Sequence, residues 1–326
     1  MRYRFFEGSL ISGMILIISV ALPFTAMGQA FPNKPITIYC GFVAGATTDL
    51  TARALASGAE RLLKVPVVVE NKPGGSATVC GALIAGKKPD GYSVAALGSD
   101  AITRLPHLIK VSYNPMKDFT FIGQYARYIA GLCVLSDSPI KTIDEFIAYS
   151  KTHPDMTYGS SGINSHQGMG IELFAKCKGL QLKHIPYKGG AEAVTAFLGK
   201  HTDFICGTGS HIPYVRQGVA RLLFVHMTDK RDPNFPNVPT LKELGCEDIP
   251  ANTITFIGPK GMSDPVANKL ADTFRKVSEG PEFNKMLEQI NLPYDFKTRQ
   301  QLNKDFPAEF EWWKVRLKEM GAKKEI

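Results

Sequence analysis

Short apolar runs alternate with helix-period stripes along most of the chain, the pattern of a sheet whose strands are joined by helical crossovers. The first unit is Ile36 to Leu63, ITIYCGFVAGATTDLTARALASGAERLL. It predicts an apolar strand to about Phe42, a small-residue loop, and a helix opening near Thr47 or Thr48 with Leu50, Ala54 and Leu55 on one face. A β-branched strand at Val67 to Glu70, a turn at Asn71 to Gly75 and a small-residue helix at Ser76 to Lys87 follow. Pro89, Asp90 and Gly91 then turn the chain into a strand, Tyr92 to Leu97, ending at Gly98, Ser99 and Asp100. Such a βαβαβ series predicts parallel strands with right-handed crossovers. Ligands collect at the carboxyl ends of such strands, so the Gly41 to Thr48 and Gly98 to Ala101 loops are expected to face one crevice.

A second series begins after an expected linker, Asn114 to Arg127. Ile129 to Leu135 reads as a strand, and Thr142 with Glu145 as a capping box. Tyr158 to Ser160 is a short strand; Ser161, Gly162, Ile163, Asn164 and Ser165 lead from it into a helix with Met169, Leu173, Phe174 and Cys177 on its apolar side. Further strands are expected at His184 to Tyr187, Asp203 to Gly207, Arg221 to Met227 and Thr253 to Ile257, with a helix at Ala191 to Leu198 and a short one from Thr240 to Gly245. The last third reads as a helix with Val266, Leu270, Phe274 and Val277 buried, a second opening at Pro281, and a long one from Thr298 toward Met320. This third is expected to return to the first lobe. The expected lobes are 31–128 plus 248–326 and 129–247, hinged near Tyr128 and Asp248.

Residues 1–30 change the picture at one end. Arg2 and Arg4, the apolar run Leu10 to Phe24, and small residues at Ala26, Gly28 and Ala30 read as a cleaved signal peptide, and the expected location is a bacterial periplasm. The composition is 44% hydrophobic and the formal net charge is +8. Removing Arg2, Arg4 and Glu7 leaves about +7, spread without a dense basic run, so no nucleic-acid partner is expected. The six cysteines contain no C-x-x-C and read mainly as small hydrophobes; a disulfide stays open, with no pairing assignable from spacing. The seven histidines show no metal-ligand spacing, and no metal or cofactor is expected.

The candidate chemistry lies in the two loops. Between Gly41 and Ala52 there is no Lys, Arg or His, so an anion there would be held by backbone N–H groups at a helix N-terminus and by the Thr47 and Thr48 hydroxyls. Asp49 would repel that anion, and Arg53, four residues on, is placed to turn its charge aside. The Ser161 to Ser165 loop repeats the design, again without Lys or Arg. Asp100 could order water or a ligand ammonium group, His166 could contact ligand or water, Tyr187 and Lys188 end a strand toward the cleft, and Gly207 to Ser210 would line its distal part. Ser161, His166 and Asp100 can be drawn as a triad, but there is no G-x-S-x-G elbow, P-loop or G-x-G-x-x-G, and no catalysis is expected.

The chain resembles the Bug family, TctC-like periplasmic solute receptors of tripartite tricarboxylate transporters. The residues that carry the resemblance are Phe31 to Ile36 (FPNKPI), Gly45 to Arg53 with Asp49, Ala52 and Arg53, Val67 to Gly75 (VVVENKPGG), Pro89 to Tyr92 (PDGY), Ser161 to Phe174, His184 to Gly190 (HIPYKGG) and Asn237 to Gly245 (NVPTLKELG). They span nearly the whole chain after residue 30, in order. The resemblance implies an α/β, two-lobed periplasmic binding protein (type II, Venus flytrap), each lobe a mostly parallel sheet flanked by helices. It further implies a monomer that closes on a small organic acid and docks transiently on membrane permease subunits; a sensor for a membrane signalling partner is the alternative. The matching ligand positions are Phe42, Ala44, Gly45, Ala46, Thr47, Thr48 and Asp49 on one side and Ser161, Gly162, Asn164, Ser165 and His166 on the other, with Ser99, Asp100, Tyr187 and Gly207 added from the reading above. Two departures stand in the first loop: Gly41 replaces the usual proline, and Ala46 replaces the second of paired glycines, where a positive φ would be strained.

Overall fold

The apolar run at the start forms β1 (Ile36–Cys40), and α1 (Thr47–Leu63) follows the small-residue loop. These elements belong to a computed structural model that describes residues 31–162 and 165–322, together with Met1; the leader expected over residues 1–30 and the loop residue Asn164 lie outside the described residues. β2 (Val67–Asn71) and β3 (Ser93–Gly98) flank β1 in parallel, pairing Ile36 with Val67 and Thr37 with Ser93. β1 is the middle strand of the three, which is why Ile36, Ile38 and Cys40 are fully buried.

α1 buries a different stripe from the one expected. Thr48, Thr51, Ala52, Leu55, Ala56 and Ala59 face inward, while Leu50 is 42% exposed. The buried side is the small-residue side because a neighbouring helix comes close: a Cβ on Gly58 would collide with the Val277 side chain. The helix expected from Ser76 is also broken. Ser76 (φ 51) and Ala77 (φ 74) take left-handed conformations, and α2 (Thr78–Ala85) starts only after them.

Short helices α3 (Asp100–Thr103) and α4 (Leu105–Leu108) follow β3. Most of the expected linker at 114–127 is a strand, β4 (Phe119–Arg127). Its apolar and polar residues do not alternate, because its Gln124 is buried and donates to the backbone carbonyl of Asp295 (3.1 Å) and to its carboxylate (2.9 Å).

After Tyr128 and Ile129 the chain enters a second sheet through β5 (Ala130–Leu135). α5 (Ile143–Thr152) opens with the expected capping box at Thr142 and Glu145. Then come β6 (Thr157–Ser160), α6 (His166–Lys178), β7 (Lys183–Pro186), α7 (Gly190–Leu198), β8 (Phe204–Gly207), α8 (Ile212–Arg216) and β9 (Ala220–His226). Thr240 and Glu243 exchange the reciprocal bonds of a cap (2.8 and 3.1 Å) around a turn, not the short helix expected there. Cys177 and Cys246 form a disulfide tying α6 to that turn, while Cys40, Cys80, Cys133 and Cys206 are buried free thiols.

The chain then returns to the first sheet. β10 (Thr253–Pro259) inserts between β3 and β4, α9 (Asp264–Ser278) and α10 (Pro281–Gln289) cover the sheet, β11 (Tyr294–Thr298) adds an edge, and α11 (Arg299–Glu319) is the last described element. In α9 the buried stripe is Ala267, Leu270 and Phe274; Val266 and Val277 are half-buried.

The strand orders are β11-β4-β10-β3-β1-β2 and β7-β6-β8-β5-β9. Both sheets place their elements alike: the strand that arrives from the other sheet (β10, β5) sits inside, with three parallel strands on one side of it. β1 to β4 run one way with β10 and β11 opposed, and β6 to β9 run one way with β5 opposed. The sheets are therefore mostly parallel in direction but mixed in pairing. The two passages between them lie side by side, with the Tyr128 N–H donating to Asn252 O at 2.9 Å. α11 spans both: Leu302 and Phe306 pack with first-sheet residues, and Trp313 and Leu317 with the core around Phe174 and Phe224 of the second.

Candidate functional site

The loop between β1 and α1 turns at Gly45, whose φ of +81 needs a residue without a Cβ. Ala46 sits in extended conformation (φ −69, ψ 158), so the departure at this position costs no strain. Gly41 is explained by packing: a Cβ there would collide with that of Ala77, and its N–H donates to Ala96 O (3.0 Å).

Asp49 is buried and ties the loop together. Its carboxylate accepts from Gly45 N (2.9 Å), Asn71 Nδ2 (2.7 Å) and Arg53 Nε (3.0 Å), and Asn71 Nδ2 also reaches Phe42 O (2.9 Å). Burial opposes the charge, but the hydrogen bonds from Arg53, Gly45 and Asn71 outweigh it and hold the carboxyl below its ordinary range. The expected pairing with Arg53 is thus present, and its consequence narrows the donor set. Gly45 N–H is spent on Asp49 and Ala46 N–H on Val43 O (3.1 Å). α1 has no side-chain cap, which leaves the first-turn amides of Thr47, Thr48 and Asp49 for a guest. The Thr47 side chain is half-buried, and the Thr48 hydroxyl lies 3.3 Å from Tyr128 Oη. Phe42 is half-buried against the first-sheet core, and Ala44 is exposed.

On the opposite side Ser160, the last residue of β6, is the hub. Its hydroxyl meets Ser165 Oγ (3.0 Å), His184 Nε2 (2.7 Å) and Gly162 O (3.0 Å). Ser165 accepts from Gly168 N (3.1 Å) and so caps α6. Ser161 and Gly162 are half-buried beside it. His166 is buried edge-on to Trp313 (ring centroids 5.5 Å), and burial, with Arg104 and His226 nearby, pushes its imidazole well below the ordinary value. It is a neutral ring at neutral pH.

The expected positions after β3 join the passage at Asn252 and do not line the cavity described below. Ser99 Oγ accepts from Thr253 N (3.0 Å), and both Ser99 Oγ and Asp100 N approach Asn252 Oδ1 at 3.4 Å. Asp100 is buried and ion-paired with Arg104 (3.4 Å), yet burial still pushes its carboxyl up, and its Oδ1 has no hydrogen-bond partner. Arg104 reaches Met169 Sδ (3.9 Å) on α6 and lies 5.7 Å from the Trp313 ring centroid. The Tyr187 ring packs beside Gly159, and Gly207 is held to glycine by the buried His211 ring.

A cavity of about 250 Å³ opens between the two sets of elements. It is lined by Thr47 of the first loop, by Tyr128 and Ile129 of one passage, by Thr208, Gly209 and Ser210 after β8, and by Ile290, Asn291 and Leu292 after α10. Of the residues singled out from the sequence as ligand positions, Thr47 lines it directly and Thr48 adjoins it through Tyr128. Gln167, in the first turn of α6, donates to Thr208 Oγ1 (2.9 Å) and so joins the second loop to the wall. Tyr128, Ile129, Thr208 to Ser210 and Ile290 to Leu292 enter the site through tertiary structure, and Gln167 adjoins it through Thr208. Only the hinge position of Tyr128 and the strand end at Gly207 to Ser210 had a signal in the sequence.

One arrangement resembles catalytic machinery. Cys206 Sγ lies 3.3 Å from His226 Nε2, and His226 Nδ1 lies 3.5 Å from Asp248 Oδ1. Cys206 and His226 are buried inside the second-sheet core, against Gly170 of α6, and burial pushes the thiol well above its ordinary value. A nucleophile needs a thiolate and a path for substrate; this row is packed as core.

Comparison with known proteins agrees with this architecture. The family described as "Tripartite tricarboxylate transporter family receptor" matches residues 51–322. Similar proteins include one from Cupriavidus necator named "UPF0065 protein in gbd 5'region", 39% identical over 86% of each chain, and the protein BugT of Bordetella pertussis, 27% identical over 95% of each. Among solved structures, the periplasmic binding protein BugD is 27% identical with a TM-score of 0.74, covering 90% of this chain and all of that one. A TctC solute binding protein from Polaromonas, solved without ligand, is 27% identical with a TM-score of 0.77, covering 89% of this chain and 99% of its own. The sheet order, the uncapped helix start over the cavity and these matches lead to one conclusion: the chain belongs to the tripartite tricarboxylate transporter receptor family, a family of solute-binding proteins.

Proposed function

We propose that this protein captures a small carboxylate-bearing molecule between two lobes, residues 31–128 with 248–326 and residues 129–247, and hands it to a tripartite-type membrane transporter. The observation that carries the reading is the uncapped start of α1. The first turn of α1, with its Thr47, Thr48 and Asp49 amides, meets the cavity at Thr47, and the other walls come from the passage at Tyr128 and Ile129, from Thr208 to Ser210 after β8 and from Ile290 to Leu292 after α10. A carboxylate there would accept from oriented N–H groups and gain from the helix dipole, and Arg53 offsets the repulsion from Asp49. Ligand that prefers the closed arrangement shifts the lobes toward it by rotation about the adjacent passages near Tyr128 and Asp248. The chain acts as a monomer without a cofactor, performs no chemistry on its cargo, is exported behind residues 1–30, and presents its closed form to permease subunits.

Native mass spectrometry of protein purified without refolding, followed by a thermal-shift screen of organic acids, tests this. The expected result is a bound acid released unchanged and a Tm that rises with acid concentration as site-specific binding requires. Shifts with sugars or cations and none with any carboxylate would contradict it.

A further inference from the structure

The walls of the cavity also say which acids fit. None of the described residues lining it carries a charge. Away from the Thr47 end, its apolar surface is Ile129, Ile290 and Leu292, and its polar groups are all neutral: the hydroxyls of Tyr128, Thr208 and Ser210 and the amide of Asn291. The Tyr128 hydroxyl adjoins Thr48, and the Thr208 hydroxyl already accepts from Gln167. No cation is among the lining residues; Arg216 lies outside the wall, donating to Asn291 Oδ1 (3.1 Å), and Arg127 precedes Tyr128 in the chain. The volume, about 250 Å³, is just under the usual range for small-molecule pockets, roughly 300–1,000 Å³.

We infer that the guest is a monocarboxylate with a compact apolar tail, its acid at the α1 amides and its tail against Ile129, Ile290 and Leu292, and that di- and tricarboxylates are disfavoured. A second carboxylate placed against Ile129, Ile290 and Leu292 loses its water and meets only neutral lining side chains, a cost that they do not offset. An alkyl or aryl tail gains about fourfold in affinity for each methylene it removes from water. This inference rests on the receptor reading above and deepens it.

Isothermal titration of the full mature protein, dialysed free of co-purified ligand, with matched pairs separates the possibilities. Hexanoate is compared with adipate, and benzoate with terephthalate, with 1-hexanol as the uncharged control. The expected result is Kd at least tenfold lower for each monoacid than for its diacid, with no measurable binding of the alcohol. Tighter or equal binding of the diacids overturns the inference and leaves the receptor reading in place. Binding of neither acid class overturns both. Ile290→Lys, at a half-buried wall position, is expected to move the adipate to hexanoate ratio at least tenfold toward adipate, and Ile290→Met to leave it unchanged. An unmoved ratio in a folded Ile290→Lys protein places the tail elsewhere and overturns the assignment.

Discussion

Asp49 shows how a residue that looks unfavourable for anion binding becomes the support of the loop proposed to hold the acid. Its carboxylate fixes Gly45, Asn71 and Arg53 at once, so Asp49→Asn leaves at least one buried donor facing another donor. The expected cost is about 1–3 kcal/mol in urea denaturation, together with weaker acid binding through a loosened loop. The sign of its pH dependence is fixed by the lowered pKa. The stabilisation is complete above the unfolded value, near 3.9, and is lost as pH falls through the lower folded value. Asp49→Asn should therefore flatten the acid limb of a Tm-against-pH curve. The buried imidazoles act in a higher window. His166 is pushed well below its ordinary value by burial first and by the Arg104 charge, and His211 down to about 4 by burial, so the unfolded chain takes up their protons first. Stability should fall as pH drops below about 6.5, by up to roughly 1.4 kcal/mol per pH unit for each ring. For His211 the fall should end near pH 4. His211→Phe should remove one proton's slope between pH 4 and 6.5, as read from urea midpoints; an unchanged slope would place the ring in water.

At the scale of elements, local chemistry was readable where it is local. The capping box at Thr142 and Glu145 and the strand, loop and helix at β1 and α1 follow from neighbouring residues alone. The linker expected over 114–127 hides β4 because its polar Gln124 is satisfied by Asp295, far away in sequence, and α1 buries its small face because another helix reaches Gly58. The break at Ser76 and Ala77 has the same kind of cause, since Ala77 packs against Gly41. Gly41→Ala should then cost about 1–3 kcal/mol by overpacking, measured as a shift in urea midpoint, with no change in the fold seen by circular dichroism. The disulfide closes a sequence separation of 69 residues. Cys177→Ser with Cys246→Ser should cost up to about 4 kcal/mol by the chain-entropy estimate, and dithiothreitol should lower the wild-type Tm while leaving the double variant unmoved.

For the whole molecule, the two sheets repeat one strand order and exchange the chain through two adjacent passages, and α11 packs against both. The alternation of strands and helices made that architecture legible, and the ordered motifs made the family legible. The site was legible at Thr47 on the first loop and at the strand end Gly207 to Ser210, whereas Ile290, Asn291 and Leu292 reach the cavity through packing between distant segments. Trp313 joins α11 to the second-sheet core, so Trp313→Ala should lower stability by about 3–5 kcal/mol and weaken the coupling between the sheets. The central claim is that main-chain donors at the start of α1 hold the acid. A crystal structure of the protein with its acid bound tests it most directly. The account predicts carboxylate oxygens at hydrogen-bond distance from the Thr47, Thr48 or Asp49 amides, in the cavity beside Tyr128. A guest bound elsewhere, or a carboxylate gripped by the Arg104 guanidinium with those amides left to water, would contradict it.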